Sequence, residues 1–165
     1  MFVLASVLAA CGSESGSGGA DPATTPLIAW SNGPAAFTAN GRALNPGKGQ
    51  VFTESFASPA SSTFFLAYDV TTDSAVPENQ GLIDGHLDFI NAAPPAAGAY
   101  TQADFGPKSA ITYVDRSVSP TVATTWTNVA GNTLSLTITE LSADHVLHGT
   151  LTASKGGTAV VVATF

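Results

Sequence analysis

Residues 62–70 read STFFLAYDV and residues 133–141 read TLSLTITEL, and these two stretches decide the fold class. In the first, apolar side chains occupy every even-numbered position from Phe64 to Val70. In the second, leucine and isoleucine alternate with threonine and serine from residue 133 to residue 139. Because successive side chains of a strand point to opposite faces, strict alternation predicts strands with one buried face.

Further short runs of strand-forming residues fill the rest of the chain. Turn signals separate them, among them Asn40-Gly41, Ala130-Gly131-Asn132 and Lys155-Gly156-Gly157. We predict strands over residues 35–39, 50–56, 82–91, 110–115, 122–128, 146–154 and 159–165, the last three strands of the chain forming a meander. This spacing predicts an all-β domain, an antiparallel β-sandwich of about 8–10 short strands, with a small lipocalin-like β-barrel as the alternative.

The N-terminal segment points to a cellular location. Its residues Leu8-Ala9-Ala10-Cys11 end on the only cysteine of the chain and resemble the lipobox of bacterial lipoproteins. That resemblance implies cleavage before Cys11, a lipidated sulfur and an acylated amino terminus. It places the protein in the bacterial cell envelope, anchored in the membrane through its N-terminal acyl chains. Because Gly12 follows the cysteine where inner-membrane lipoproteins tend to have aspartate, the outer membrane is expected.

Three segments follow from this interpretation. Residues 1–10 form a signal h-region without the basic residues that normally precede one, so we predict a start codon further upstream. Residues 11–26 carry the lipidated cysteine and a Gly/Ser-rich flexible tether. Residues 27–165 form a single all-β domain.

The C-terminal half resembles a second group of proteins. Gly98-Ala99-Tyr100, residues 110–113, residues 134–141, His148 to Ala153 and the final Phe165 are similar to a loose pattern of bacterial lipoproteins without an established activity. Ala99 and Leu151 depart from that pattern. The resemblance implies a β-sandwich in the envelope and names no reaction.

Composition narrows the choice of partners. The formal net charge is −7, and only 10% of residues are charged. Nucleic acid is excluded, because its binding requires clustered cations. A single cysteine allows no disulfide within the chain. The expected partners are the membrane and an envelope protein or glycan, and no cofactor is expected.

Two sets of side chains are candidates for a site. Asp84, His86 and Asp88 share one face of a predicted strand, and carboxylates and imidazole are ligands for a divalent cation. Trp30 and Trp126 could stack on a ligand ring, with Trp30 the more exposed of the two. No Gly-x-Ser-x-Gly elbow or Gly-rich phosphate loop occurs, so no catalytic residue is assigned.

These observations leave three classes of function. The first is a non-enzymatic envelope lipoprotein that binds a protein, glycan or small ligand. The second is a lipocalin-like carrier of an apolar ligand. The third is a metal-assisted enzyme that uses the face of Asp84, His86 and Asp88.

Overall fold

A computed structural model of the chain describes residues 28–44, 49–57, 60–70 and 81–165. Within these ranges the chain forms eleven β-strands and a 3-10 turn at Gln102–Asp104: β1 Ile28–Ala39, β2 Arg42–Ala43, β3 Gly49–Ala57, β4 Ala60–Val70, β5 Gly81–Asp88, β6 Gly98–Thr101, β7 Ala110–Asp115, β8 Val122–Thr127, β9 Asn132–Leu141, β10 Leu147–Lys155 and β11 Thr158–Thr164. No helix of this part of the chain has the length and hydropathy to cross a membrane. The predicted leader and tether, with Cys11, lie outside the described residues.

The described strands form one antiparallel sheet that curls strongly into a half-barrel. Neighbouring strands follow the order β6-β9-β10-β11-β1-β3-β4-β5-β7-β8, and β2 pairs with β1 beside this path. The prediction of an all-β antiparallel fold is confirmed. The strands belong to one continuous sheet and not to the two separate sheets of the predicted sandwich. The path of this sheet ends at β6 and β8, so it does not close into the alternative barrel.

Strand β1 is the point where the sheet curls. Its first half pairs with β3 and its second half with β11, and the register shifts between Asn32 and Ala35. A bulge of this kind bends a strand. The wing that runs from β3 to β8 therefore folds over the wing formed by β6, β9, β10 and β11, and β8 packs across from β10 and β11.

The core lies between these two wings. Phe64 of β4 meets Phe165 with ring centroids 5.5 Å apart, and Phe37 of β1 meets Tyr68 of β4 at 6.2 Å. Alternate residues of β4 and β9, among them Leu66 and Leu136, are fully buried. The two alternating stretches of the sequence thus supply opposite sides of one core.

The nine predicted strands agree with the structure in order, but the structure has eleven strands in its described residues, and one predicted end is wrong. Each predicted run coincides with a strand, and β9, β10 and β11 form the predicted meander. The predicted strand 82–91 ends earlier, at Asp88, because Phe89 leaves the ladder to pair with Phe105, and Ile90 is 67% exposed. The prediction missed β2, β6 and the first half of β1.

Glycine is required at two points of the fold, a tight turn and a close contact inside a strand. Asn40 and Gly41 have φ of 47° and 78°, the left-handed values that a tight hairpin between β1 and β2 requires. Gly149 lies at a register shift of β10, where a Cβ would meet the carbonyl oxygen of Thr137 and lie 2.8 Å from the Phe165 ring. Only glycine fits there.

Side chains join the two ends of the sheet path. Asn128, just after β8, donates from Nδ2 to the carbonyls of Phe105 at 2.6 Å, Gly106 at 3.2 Å and Gln102 at 3.3 Å. Gln102, just after β6, donates in return from Nε2 to the carbonyl of Val129 at 2.9 Å. These bonds hold the ends of β6 and β8 together where no strand ladder does so in the described residues.

Candidate functional site

The predicted metal ligands lie on the outer face of β5. Asp84 is exposed, and His86 and Asp88 are half-buried. Asp88 Oδ1 accepts a hydrogen bond from Thr63 Oγ1 at 3.0 Å, and His86 Nε2 lies 3.0 Å from the carbonyl oxygen of Lys108. In the described part of the chain, no group of three or more His, Cys, Asp or Glu side chains could hold a metal ion. The metal site stays a prediction without a closed ligand set.

The two predicted ligand-stacking residues, Trp30 and Trp126, lie in different environments. Trp126 is 0% exposed and belongs to the core, so its ring presents no face to a ligand at the surface. Trp30, expected to be the exposed ring, is half-buried because β1 begins before it and packs it against the core. Trp126 therefore forms no surface platform, whereas Trp30 also lines a groove between β1 and β3, which is described below.

Among the side chains that the structure describes, two buried polar atoms have no hydrogen-bond partner. They are Tyr113 Oη on β7 and Trp126 Nε1 on β8. Burial raises the pKa of the Tyr113 phenol above its usual value of 10.0, and the nearby Asp115 carboxylate raises it further, against a smaller lowering by Arg42. These groups face the interior and lie apart from the outer-face site described next.

Strand β3 directs its aromatic side chains outward. Val51, Thr53 and Ser55 point into the core, with Thr53 and Ser55 at 0% and 1% exposure. Phe52 and Phe56 lie on the other face and are half-buried. Full burial of a phenylalanine side chain stabilises a fold by about 1.5–3 kcal/mol. The outward placement of Phe52 and Phe56 gives up part of this energy and leaves part of each ring exposed on the outer face.

The buried hydroxyl groups of β3 are fully bonded. Ser55 Oγ lies 2.8 Å from Ser62 Oγ, and Thr53 Oγ1 donates to the carbonyl of Thr63 at 3.0 Å. Ser62 Oγ is also 3.0 Å from the carbonyl oxygen of Ala92. These contacts fix the register of β3 on β4 and hold Phe52 on the outer face.

An aromatic stack stands on this face. Phe52 and Phe65 are cross-strand partners of β3 and β4, with ring centroids 4.6 Å apart and planes inclined by 16°. The centroid separation is close to the spacing between strands, about 4.7–4.9 Å. The rings therefore stand upright on the sheet, each with one face against the other ring and one face turned away.

A groove of about 320 Å³ lies beside Phe52 on the side of β1. On the β1 side it is lined by Trp30, one of the predicted ligand-binding residues, and by the small residues Ala29 and Ser31. Gln50 and Glu54 flank Phe52 along β3. A second groove, of about 350 Å³, runs over Ala67 and also borders Gln50. We call these the Phe52 groove and the Ala67 groove.

A third depression, of about 260 Å³, lies near the end of β5. Phe89, Tyr100 and Phe105 form an aromatic cluster beneath it. Tyr100 Oη donates to the carbonyl of Ala96 at 2.8 Å and accepts from the amide of the same residue at 2.9 Å. These contacts anchor the loop after β5, so the aromatic cluster has a structural role.

Comparisons of the chain with protein-family models, curated proteins and solved structures return no match. The resemblance to β-sandwich lipoproteins therefore stays a prediction, and the candidate site rests on geometry alone. Sequence reasoning did not assign Gln50, Phe52, Glu54 or Phe65 to a site. The available signal was the run Gln50 to Phe56, where Phe52 and Phe56 share one parity with Gln50 and Glu54, and Thr53 and Ser55 have the other.

Proposed function

We propose that the protein is a lipid-anchored envelope lipoprotein that acts as a non-enzymatic binding module. Its acyl anchor is Cys11, and its ligand site is the Phe52 groove on the outer face of the sheet. The observation that carries the binding function is the outward placement of Phe52 beside Gln50 and Glu54, in a strand that buries threonine and serine instead.

Groove size and lining support this function. Small-molecule sites are concave, about 300–1,000 Å³ in volume, and combine apolar surface with a few polar groups. The Phe52 groove, at about 320 Å³, offers a ring face, an amide, a carboxylate and a hydroxyl. The lipocalin-like alternative is less supported, because large side chains such as Phe64, Leu136 and Trp126 fill the space between the wings.

The first experiment tests the anchor. The chain from Leu8 onward is expressed behind a bacterial lipoprotein leader with a basic n-region, in cells fed an alkyne analogue of palmitate. We expect labelling and recovery in the outer-membrane fraction, with both lost in Cys11→Ser. An unlabelled parent protein found in the periplasm would overturn the proposed anchoring.

The second experiment tests the site in the same cells. A photo-reactive benzophenone side chain replaces Ser31, which borders the Phe52 groove, or Thr150, an exposed control on β10. We expect irradiation to give a covalent adduct at position 31 and not at position 150. Equal adducts at both positions, or none at position 31, would contradict a binding site in this groove.

A further inference from the structure

We infer that the ligand of the Phe52 groove is a neutral, linear glycan whose chain crosses β3 and continues into the Ala67 groove. This inference rests on the proposed binding function and adds the chemical class of the ligand. It follows from the orientation of the Phe52 ring, the polar groups beside it, the charge of the lining and the residue that the two grooves share.

The Phe52 ring supplies a wall that suits a sugar ring. Its inner face is covered by Phe65, and because the rings stand upright, its outer face turns toward β1 and the groove. Ala29 and Ser31 are small, so a ring of similar size can stand against Phe52 above them. The C–H face of a pyranose packs favourably on such an aromatic surface.

The polar groups lie where the hydroxyls of such a sugar would be. Gln50 and Glu54 are two residues before and after Phe52 on the same face, roughly 7 Å away along the strand. The amide donates and accepts, and an ionised carboxylate accepts, so together they match hydroxyl groups. Backbone groups of β1, β3 and β4 are already paired in the sheet, so recognition falls to these side chains.

The charge of the lining selects against anionic glycans. Neither groove is lined by a lysine or arginine, whereas Glu54 and Asp84 contribute carboxylates, and the chain has a net charge of −7. The carboxylate of Asp69, which also lines the Ala67 groove, is paired with Arg116 at 2.9 Å. An anionic sugar would be repelled at this surface. A peptide that adds to a sheet needs a free strand edge, and these grooves lie on the face of paired strands.

Gln50 indicates that the ligand is longer than one sugar ring. It borders both grooves, and its cross-strand partner Ala67 leaves space over β4 between Gln50 and Asp84. The path from β1 to β5 crosses three strand spacings, about 14 Å. A linear chain that stacks on Phe52 and passes Gln50 would reach Asp84 with its next rings.

Calorimetry on the purified full chain tests this inference with four neutral probes: chitotetraose, cellotetraose, maltotetraose and mannotetraose. We expect at least one of them to bind with a Kd below about 1 mM. Phe52→Ala should weaken that binding at least tenfold, and Phe56→Ala, a matched change on the same face outside both grooves, less than twofold. Gln50→Ala should weaken the tetrasaccharide more than the corresponding disaccharide.

Three results would overturn the glycan. They are failure of all four probes to bind, equal binding by Phe52→Ala and the parent, and binding of tetralysine that depends on Glu54 and disappears in high salt. The last result would assign the groove to a basic peptide. In each case, a photo-adduct at position 31 would still support the proposed binding function. The glycan inference and the binding function can therefore be refuted independently of each other.

Discussion

The side chain of Asn128 links the two ends of the sheet path, β6 and β8, and its replacement should destabilise the protein measurably. Its Nδ2 carries two hydrogens and faces three carbonyl oxygens, so it makes two hydrogen bonds at a time. A hydrogen bond contributes about 0.5–1.5 kcal/mol net to stability, so Asn128→Ala should lower the free energy of unfolding by about 1–3 kcal/mol. Asn132, with one such bond to Thr127 at 2.9 Å, is the matched control and should lose about half as much.

The isosteric change Asn128→Asp tests the direction of these bonds. It places a carboxylate oxygen 2.6 Å from the Phe105 carbonyl oxygen, so two acceptors face each other and the loss at neutral pH should exceed that of Asn128→Ala. The folded state then favours the protonated carboxyl, whose pKa is raised. The deficit should shrink as the pH falls toward 4, whereas that of Asn128→Ala should stay constant.

Urea unfolding followed by tryptophan fluorescence measures these differences. With an m-value of about 2 kcal/mol/M, the expected loss for Asn128→Ala shifts the midpoint by about 0.5–1.5 M. A shift below about 0.2 M, or an Asn128→Asp deficit that does not change with pH, would refute the assignment of Asn128 as the link between β6 and β8.

Three further changes follow from the core. Gly149→Ala should destabilise by more than about 2 kcal/mol in urea unfolding, because its Cβ would overlap the Thr137 carbonyl and the Phe165 ring, whereas Gly98→Ala, with open space around it, should be tolerated. Ser62→Ala should cost about 1–3 kcal/mol, since it leaves the buried Ser55 hydroxyl without its partner at 2.8 Å; an unchanged midpoint would contradict that role. Tyr113→Phe removes an unpartnered hydroxyl and should leave stability equal or higher at pH 7. Because the raised phenol pKa gives stability that is lost as the pH rises above 10.0, midpoints measured from pH 8 to 11 should fall less in Tyr113→Phe than in the parent.

Strand positions were predictable because alternation is a local property. In 62–70 and 133–141 the pattern identifies the strand and its buried face without reference to any neighbour. The first half of β1 was not predictable in this way, since Gly33 and Pro34 interrupt the alternation and the strand forms through its pairing with β3. Strand β6 is only four residues long, and its pairing with β9 defines it.

Continuity of the sheet also lies beyond local pattern. Sandwich and half-barrel use the same strands and the same buried faces, and they differ in whether one strand serves both halves. Here β1 does so, because its bulge lets residues before it pair with β3 and residues after it with β11. Nothing in the alternation of apolar residues encodes that choice.

The candidate site escaped prediction for a related reason, the register of β3. A shift of β3 by one residue would turn Phe52 and Phe56 into the core, but it would also bury Gln50 and Glu54 and expose Val51. Pairing with β4 prevents it: Thr53 lies opposite the buried Phe64, and Ser55 bonds Ser62. Because Phe52 and Phe56 are already half-buried, their outward placement forgoes only part of the roughly 1.5–3 kcal/mol that full burial of each ring contributes. The fold does not require that loss, since an apolar residue at position 53 or 55 would pack in the same space. In the proposed binding function Phe52 is the ring that meets the ligand, and its stack with Phe65 fixes the orientation of that ring.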